Sequence, residues 1–285
     1  MPLPRSIAIG AAGAAVAWAG WIEPRRLATV RHTLELPLWP ARLDGLRLGI
    51  LTDLHAGAPH AGREPIARAV ERLNAERPDV MLLLGDFVDA HPLWGGRLAP
   101  DAVARILARL HAPLGTFAVL GNHDWRATGA GMWAALWRAG VPVLENEAVR
   151  LTAPGGPLHV AGLADMRSRR ADPVSALASV PPGEPVVLLS HDPDVFPHVP
   201  DRVALTLAGH THGGQVAIPL LRRPAIPSAY GERYARGHVV EDGRHLYVSS
   251  GLGTSGLPLR LLAPPEIVVL ELRAPAAPPG GRSAA

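Results

Sequence analysis

Leu46-Arg47-Leu48-Gly49-Ile50-Leu51-Thr52-Asp53-Leu54-His55 is a compact apolar run that ends on two side chains able to bind a metal. The run reads as a buried strand, and the same pattern recurs along the chain. Val80 to Leu84 leads into Gly85-Asp86-Phe87-Val88-Asp89, and Thr116 to Leu120 into Gly121-Asn122-His123-Asp124. Val186 to Ser190 leads into His191, and Ala204 to Ala208 into Gly209-His210-Thr211-His212. Segments with helical spacing separate the first three strands: Glu64 to Asn74, with Ile66, Val70 and Leu73, and Ala102 to Leu110, with Val103, Ile106, Leu107 and Leu110. A further helix is expected over Gly131 to Ala139, its Trp133 and Trp137 packing between helix and sheet. The second half is strand-rich, with further strands expected at 149–152, 158–163, 215–218, 237–240, 245–249 and 267–272 and one helix around 173–179. Strand–helix alternation followed by a strand-rich half predicts two sheets packed face to face and flanked by helices.

The residues at the strand ends are carboxylates, an amide and imidazoles, a donor set that fits two divalent cations sharing one carboxylate and so suits the splitting of phosphate esters. Asp53 and His55 are one residue apart, as are His210 and His212, and in extended chain alternate side chains face the same way. Gly85 lets the backbone turn sharply and places Asp86 to bridge both ions. Asn122 offers a neutral amide oxygen, which leaves the adjacent His123 free for proton transfer. Asp89 or Asp124 would accept the second ring N–H of His123, fixing its tautomer and stabilising the imidazolium. With no thiolate among the donors, manganese, iron or zinc would suit the site equally.

These blocks, in this order, resemble the calcineurin-like metallophosphoesterases, over roughly Leu46 to Leu272. The resemblance implies a four-layer α/β sandwich, two mixed sheets between helices. It implies that Asp53, His55, Asp86 and His212 hold one metal, that Asp86, Asn122, His191 and His210 hold the other, and that Asp89 rather than Asp124 pairs with His123. Glu23-Pro24, Gly213-Gly214-Gln215-Val216 and Gly251-Leu252-Gly253-Thr254-Ser255-Gly256 are similar to the bacterial, membrane-tethered phosphodiesterase branch. Some members of that branch are similar to hydrolases of UDP-diacylglucosamine, a lipid A precursor. The expected reaction is hydrolysis of a phosphodiester or pyrophosphate bond, with a lipid-linked substrate as one expectation. A nuclease or protein phosphatase of the same superfamily, or a catalytically silent membrane-tethered metal module, are the alternatives.

The remaining sequence qualifies this reading. There is no cysteine among the 285 residues, which excludes disulfides, thiolate zinc sites and cysteine nucleophiles. Lysine is absent, so the basic residues are all arginine, and the formal net charge is only +3. That excess is too small to mark a nucleic-acid surface, and no nucleic-acid partner is expected. Residues 1–23 form an oily segment, uncharged from Ile7 to Ile22 and flanked by Arg5, Arg25 and Arg26. It would be a membrane anchor in a bacterial inner membrane, an export signal cleaved after Ala17-Trp18-Ala19, or a helix of the fold. Residues 24–45 read as a connector with an edge strand near 30–36, residues 46–273 as the catalytic domain, and 274–285 as a disordered tail. Arg222, Arg223, Arg233 and Arg236, interleaved with Tyr230 and Tyr234, would cover the site and hold an anionic head group or form a solvated charge cluster, a nucleic-acid groove being the least favoured reading. The glycine-rich stretch 251–256 is expected to be a structural turn. Outside the blocks, His32, His60, His91, His111, His159 and His198 are expected at the surface or in loops, and His238 and His245 on exposed strand faces.

Overall fold

The computed structural model describes residues 10, 13–89, 91, 98–218 and 226–276. Two sheets make up the body. In the first, β1 (Ala28–Glu35), β11 (Glu266–Arg273), β2 (Leu46–Leu51), β3 (Val80–Leu83) and β4 (Thr116–Ala118) lie side by side in that order. In the second the order is β5 (Glu147–Ala153), β6 (Gly156–Gly162), β7 (Val186–Leu189), β8 (Leu205–Ala208), β10 (Arg244–Val248) and β9 (Gly237–Glu241). Both sheets are mixed. β2, β3 and β4 are parallel neighbours, as are β6, β7, β8 and β10, while β11 runs antiparallel to β2 and β9 to β10. The stretch read as a connector supplies β1, which adds parallel to β11 as the edge strand.

The central strands are apolar on both faces because both faces are covered. Alternation divides their side chains between layers. Leu48, Ile50 and Leu82 meet Val160, Val187, Leu189 and Leu207 between the sheets. On the opposite face of the first sheet, Leu51, Met81 and Leu83 meet the helices. On the outer face of the second sheet, Val186 and Leu188 pack with Leu177, Val195 and Phe196. The result is the four-layer sandwich, with helices, two mixed sheets, and a thinner outer layer of turns.

Helix α1 (Arg63–Ala75) buries Ile66, Ala69, Val70 and Leu73, a single stripe at helical spacing. Helix α2 (Pro100–Leu107) begins with proline in its first turn and buries Val103 and Leu107. Helix α3 (Asn122–Thr128), which carries the third ligand block, is not marked by apolar periodicity. It is started instead by Asp124, which accepts the Gly121 N–H at 3.0 Å. Helix α4 (Gly131–Arg138) follows, then the short α5 (Pro173–Ala176), capped by Asp172.

Several expectations are corrected. Residues 215–218 are not a strand: Gly213, Gly214 and Gln215 all take positive φ, and only Val216 bridges to Leu261. Trp137 does not pack between helix and sheet. It is 62% exposed and stacks on Trp133 with ring centroids 5.6 Å apart. His159 and His245 are buried. The first lies 2.5 Å from Glu184 and the second 3.0 Å from His238, so each has a polar partner that makes its burial tolerable. Among the described residues no helix is long and apolar enough to cross a membrane. Most of residues 1–12, all of 277–285, and Arg222 with Arg223 lie outside the described residues.

Candidate metal centre

Every predicted ligand stands just beyond the carboxyl end of a strand. Asp53 and His55 follow β2, Asp86 and Asp89 follow β3, Asn122 and His123 follow β4, His191 follows β7, and His210 and His212 follow β8. Parallel strands carry their loops to the same end, and two stacked sheets bring both sets of loops together.

The loops are locked to one another by backbone bonds. Asp53 N–H donates to Gly85 O at 2.9 Å, His55 N–H to Asp86 O at 3.0 Å, and Gly253 N–H to Asp53 O at 2.7 Å. Gly85 has φ +93°, and any side chain there would strike the Gly121 backbone 2.5 Å away. A side chain at Gly121 would collide with the Asp86 carboxylate. The ligands themselves are not in extended chain, as their spacing suggested. Asp53, His55, Asp86, His210 and His212 all have φ between 44° and 68°, a left-handed conformation that costs non-glycine residues energy and clusters at functional sites. A left-handed residue reverses the local direction of the chain, so each pair is aimed by a kink rather than by alternation.

These kinks bring the side chains together. Asp53, His55 and His212 place donor atoms within 4.8 Å of one another, and so do Asp86, His191 and His210. His55 Nε2 lies 3.0 Å from His212 Nε2, which lies 3.6 Å from Asp53 Oδ1. His191 Nε2 lies 3.2 Å from His210 Nδ1. Asp86 Oδ2 sits between the two groups, 3.6 Å from His55 Nε2 and 3.2 Å from His191 Nε2. Two donors held about 2.1 Å from one cation are themselves roughly 3 to 3.5 Å apart, so these separations fit two ions sharing Asp86. Asn122 stands beside these donors. It is 5% exposed, and its Oδ1 is buried without a hydrogen-bond partner. A buried amide oxygen left unpaired is costly unless something cationic meets it.

The surroundings orient the donors. His191 Nδ1 lies 2.7 Å from Leu84 O and His210 Nε2 3.1 Å from Pro227 O, which places the ring proton there and leaves the other nitrogen of each facing the cluster. Burial and His191 push the His210 pKa down to about 2, so it stays neutral, as a ligand must be. Burial, His55 and Arg260 hold His212 well below its ordinary range. Burial opposes charge on His191, but the carboxylates of Asp86 and Asp53 outweigh it and raise its pKa strongly, so a cation bound there would have to displace a ring proton. For Asp86, burial is likewise outweighed by His191 and His55, and the carboxyl stays ionised.

The residues predicted for proton transfer separate. His123 Nδ1 lies 3.4 Å from Asp89 Oδ1, and its Nε2 lies 3.5 Å from Ser255 Oγ. Asp124 is fully buried and serves backbone instead, accepting from Phe87, Val88 and Gly121 N–H groups. It fixes the Asp86 loop against α3 and does not approach the His123 ring. A cavity of about 400 Å³ opens over the cluster, lined among others by Asp86, His123, Arg126, Arg167, Ser255 and Leu257.

The arginine–tyrosine segment behaves differently from its reading as an anion clamp. Arg233 pairs with Glu241 at 2.5 Å, Arg236 donates to Leu262 O, and Tyr234 is buried against Glu241. The segment reaches the cavity through Pro227 alone among its described residues. The arginines that do line the cavity, Arg126 and Arg167, were not singled out from the sequence, and neither was Arg260. Arg260 is fully buried and donates to the carbonyls of Ser250, Gly251, Gly253 and Ala263. It braces the 251–256 turn against the Asp53 loop.

The sequence profile of the calcineurin-like phosphoesterases matches residues 46–240. The chain belongs to that family. This metallophosphoesterase is 33% identical over 273 residues to an uncharacterized metallophosphoesterase of Bacillus subtilis, YkuE, covering 94% of each chain. It is 31% identical to the phosphodiesterase YaeI of Escherichia coli, over 89% of each. With the UDP-2,3-diacylglucosamine pyrophosphatase LpxG of Chlamydia trachomatis it shares 27% identity, over 89% of this chain and 92% of that one. The metallophosphoesterase is thus a hydrolase of phosphoric esters, and its clustered donors are candidate ligands for the metals of such an enzyme.

Proposed function

We propose that this metallophosphoesterase hydrolyses a phosphodiester or pyrophosphate bond at a dinuclear centre, on a lipid-linked substrate of the UDP-diacylglucosamine kind. The observation that carries the reading is the position of Asp86 between two groups of donors, with the unpaired Asn122 oxygen beside them. Asp53, His55, Asp86 and His212 would hold one cation, and Asp86, Asn122, His191 and His210 the other. When bound, the pair supplies Lewis-acid charge and a nucleophilic water at neutral pH.

The protein's own groups do the rest. His123 would donate the proton from Nε2 to the departing oxygen. Asp89 faces its Nδ1 and would stabilise the imidazolium as the proton moves. Arg126 and Arg167 would neutralise phosphoryl oxygens, Arg167 being held in place by Asp192 at 2.6 Å. Asp124 would keep the loop geometry through the backbone N–H groups it accepts from.

The lipid-linked substrate is supported by the pyrophosphatase relative and by the oily leader. The leader would attach the enzyme to a membrane, its Trp18 and Trp21 being 38% and 66% exposed as residues of an interface are. A panel of a glycolipid pyrophosphate, a simple phosphodiester and a phosphomonoester, assayed with manganese, tests the assignment. Turnover of the first two above the third is expected. Preference for the monoester would overturn the substrate class, and inactivity on all three would overturn the enzymatic reading.

A further inference from the structure

A second cavity lies away from the metal centre, where the leader joins the domain. It measures about 750 Å³ and is lined by Arg25, Arg26, Leu27, Ala28, Arg68, Glu71, Arg72 and Pro264. Four arginines thus share one depression with a single acid, and Glu71 is already taken by Arg109 at 2.6 Å. Arg68 pairs with Glu64 along the exposed face of α1. Among the described residues, Arg25, Arg26 and Arg72 form no ion pair, and Glu76, which acts on Arg72 from a distance, is itself paired with Arg31 and Arg47. Arg72 donates to Leu27 O at 2.8 Å, which holds it across the depression.

The helical turn Trp18–Ile22 exposes Trp21 and Ile22, and it is stitched to the body. Arg260 N–H donates to Ala19 O at 2.9 Å, and Glu23 is buried, accepting from Trp18 Nε1 at 2.7 Å and from Ala263 N–H at 2.9 Å. The Arg25 guanidinium lies 3.6 Å over the Trp21 ring, and Arg26 lies 5.3 Å from Trp18. An apolar segment, then two tryptophans, then a basic depression is the order of layers met on leaving a bilayer: acyl chains, interface, charged head groups. Guanidinium forks suit phosphate oxygens.

We propose that this depression binds the phosphate head group of an anionic phospholipid, and so fixes how the catalytic domain sits on the bilayer. The proposal rests on the membrane attachment argued above. The test uses the full chain, floated with vesicles of phosphatidylcholine alone and with vesicles that also contain phosphatidylglycerol. The wild-type protein is compared with R68Q/R72Q, whose changes are exposed, outside the leader and outside the metal centre. Wild type is expected to partition more strongly to the anionic vesicles. The double variant should lose about fivefold of that partition per arginine, roughly 25-fold in all. Its binding to neutral vesicles and its turnover of a water-soluble diester should stay at wild-type values. Equal partition of the two proteins into anionic vesicles would overturn the head-group site while leaving attachment standing. Absence of binding to either vesicle would overturn attachment itself, and the site with it. Calorimetry with inorganic phosphate and no vesicles separates the remaining source. Phosphate binding lost in R68Q/R72Q, together with equal partition of the two proteins into anionic vesicles, would mark a free-anion site and overturn the lipid assignment.

Discussion

His123 is the residue proposed to do chemistry rather than to hold metal, although its ring also stands within 4.8 Å of donor atoms of His55 and Asp86. It follows the orphaned Asn122, sits on the first turn of α3, and turns Nδ1 to Asp89 and Nε2 to the cavity. His123→Ala is therefore expected to lower kcat by about 10²–10⁴-fold with metal content unchanged. Elemental analysis of the purified variant beside its turnover checks this, and loss of metal would show a structural role. Burial works against charge on the His123 ring, but Asp89 and Asp86 outweigh it and raise its pKa. The protonated ring is the acid, so activity falls as pH rises through that pKa. Asp89→Asn removes part of the support, and the alkaline limb of the kcat–pH profile should move to lower pH. An unmoved limb would remove Asp89 from the mechanism. The residue types at the site were legible because each follows a recognisable apolar strand. The way they are aimed was not, because nothing in Asp53-x-His55 or His210-x-His212 announces a left-handed backbone. That conformation is imposed by the neighbouring loops, which the sequence does not place.

At the scale of elements, the strands with both faces covered were the clearest signals: β3 and β7 are unbroken apolar runs, and β2 and β8 are interrupted by a single polar residue each, Arg47 and Thr206. Helix α3 escaped notice because its stabilising contacts are the Asp124 cap and the Asp86 loop, neither of which leaves an apolar period. Residues 215–218 misled in the opposite direction: strand-like composition sits on a backbone already turned by Gly213 and Gly214. Arg260 was illegible for a third reason. An arginine fully buried on backbone carbonyls has no pattern in sequence, although several loop ends depend on it. Its burial lowers its pKa to about 10, so it remains charged at neutral pH. Arg260→Lys keeps the charge but cannot reach every carbonyl, and buried carbonyls left unpaired should cost about 3 kcal/mol. Thermal unfolding is expected to shift down by roughly 6–12 °C. A shift within a degree or two would show that the turn holds without the fork.

At the scale of the molecule, the two-sheet architecture followed from strand–helix alternation giving way to a strand-rich half, and the sheets stack as that pattern implied. Stacking is what makes the site possible, since the β2–β4 loops and the β7–β8 loops come from different sheets. Binding of cations across that seam should therefore tie the sheets together. With metal at about a thousand times its Kd, occupation of one site contributes about 4 kcal/mol. Chelation is then expected to lower Tm by roughly 10 °C, with manganese restoring it. An unchanged Tm would mean that the donors do not share a cation across the sheets. Fractionation of cells carrying chains with and without residues 1–22 should move the protein from the membrane to the soluble fraction.

The shared carboxylate is tested most directly by anomalous diffraction from crystals grown with manganese, recorded on both sides of the metal's absorption edge. Two peaks flanking the Asp86 carboxylate, about 3.5–4 Å apart, are expected, one beside His55 and His212 and the other beside His191, His210 and Asn122. A single peak, or peaks that leave Asp86 uncoordinated, would contradict the dinuclear centre.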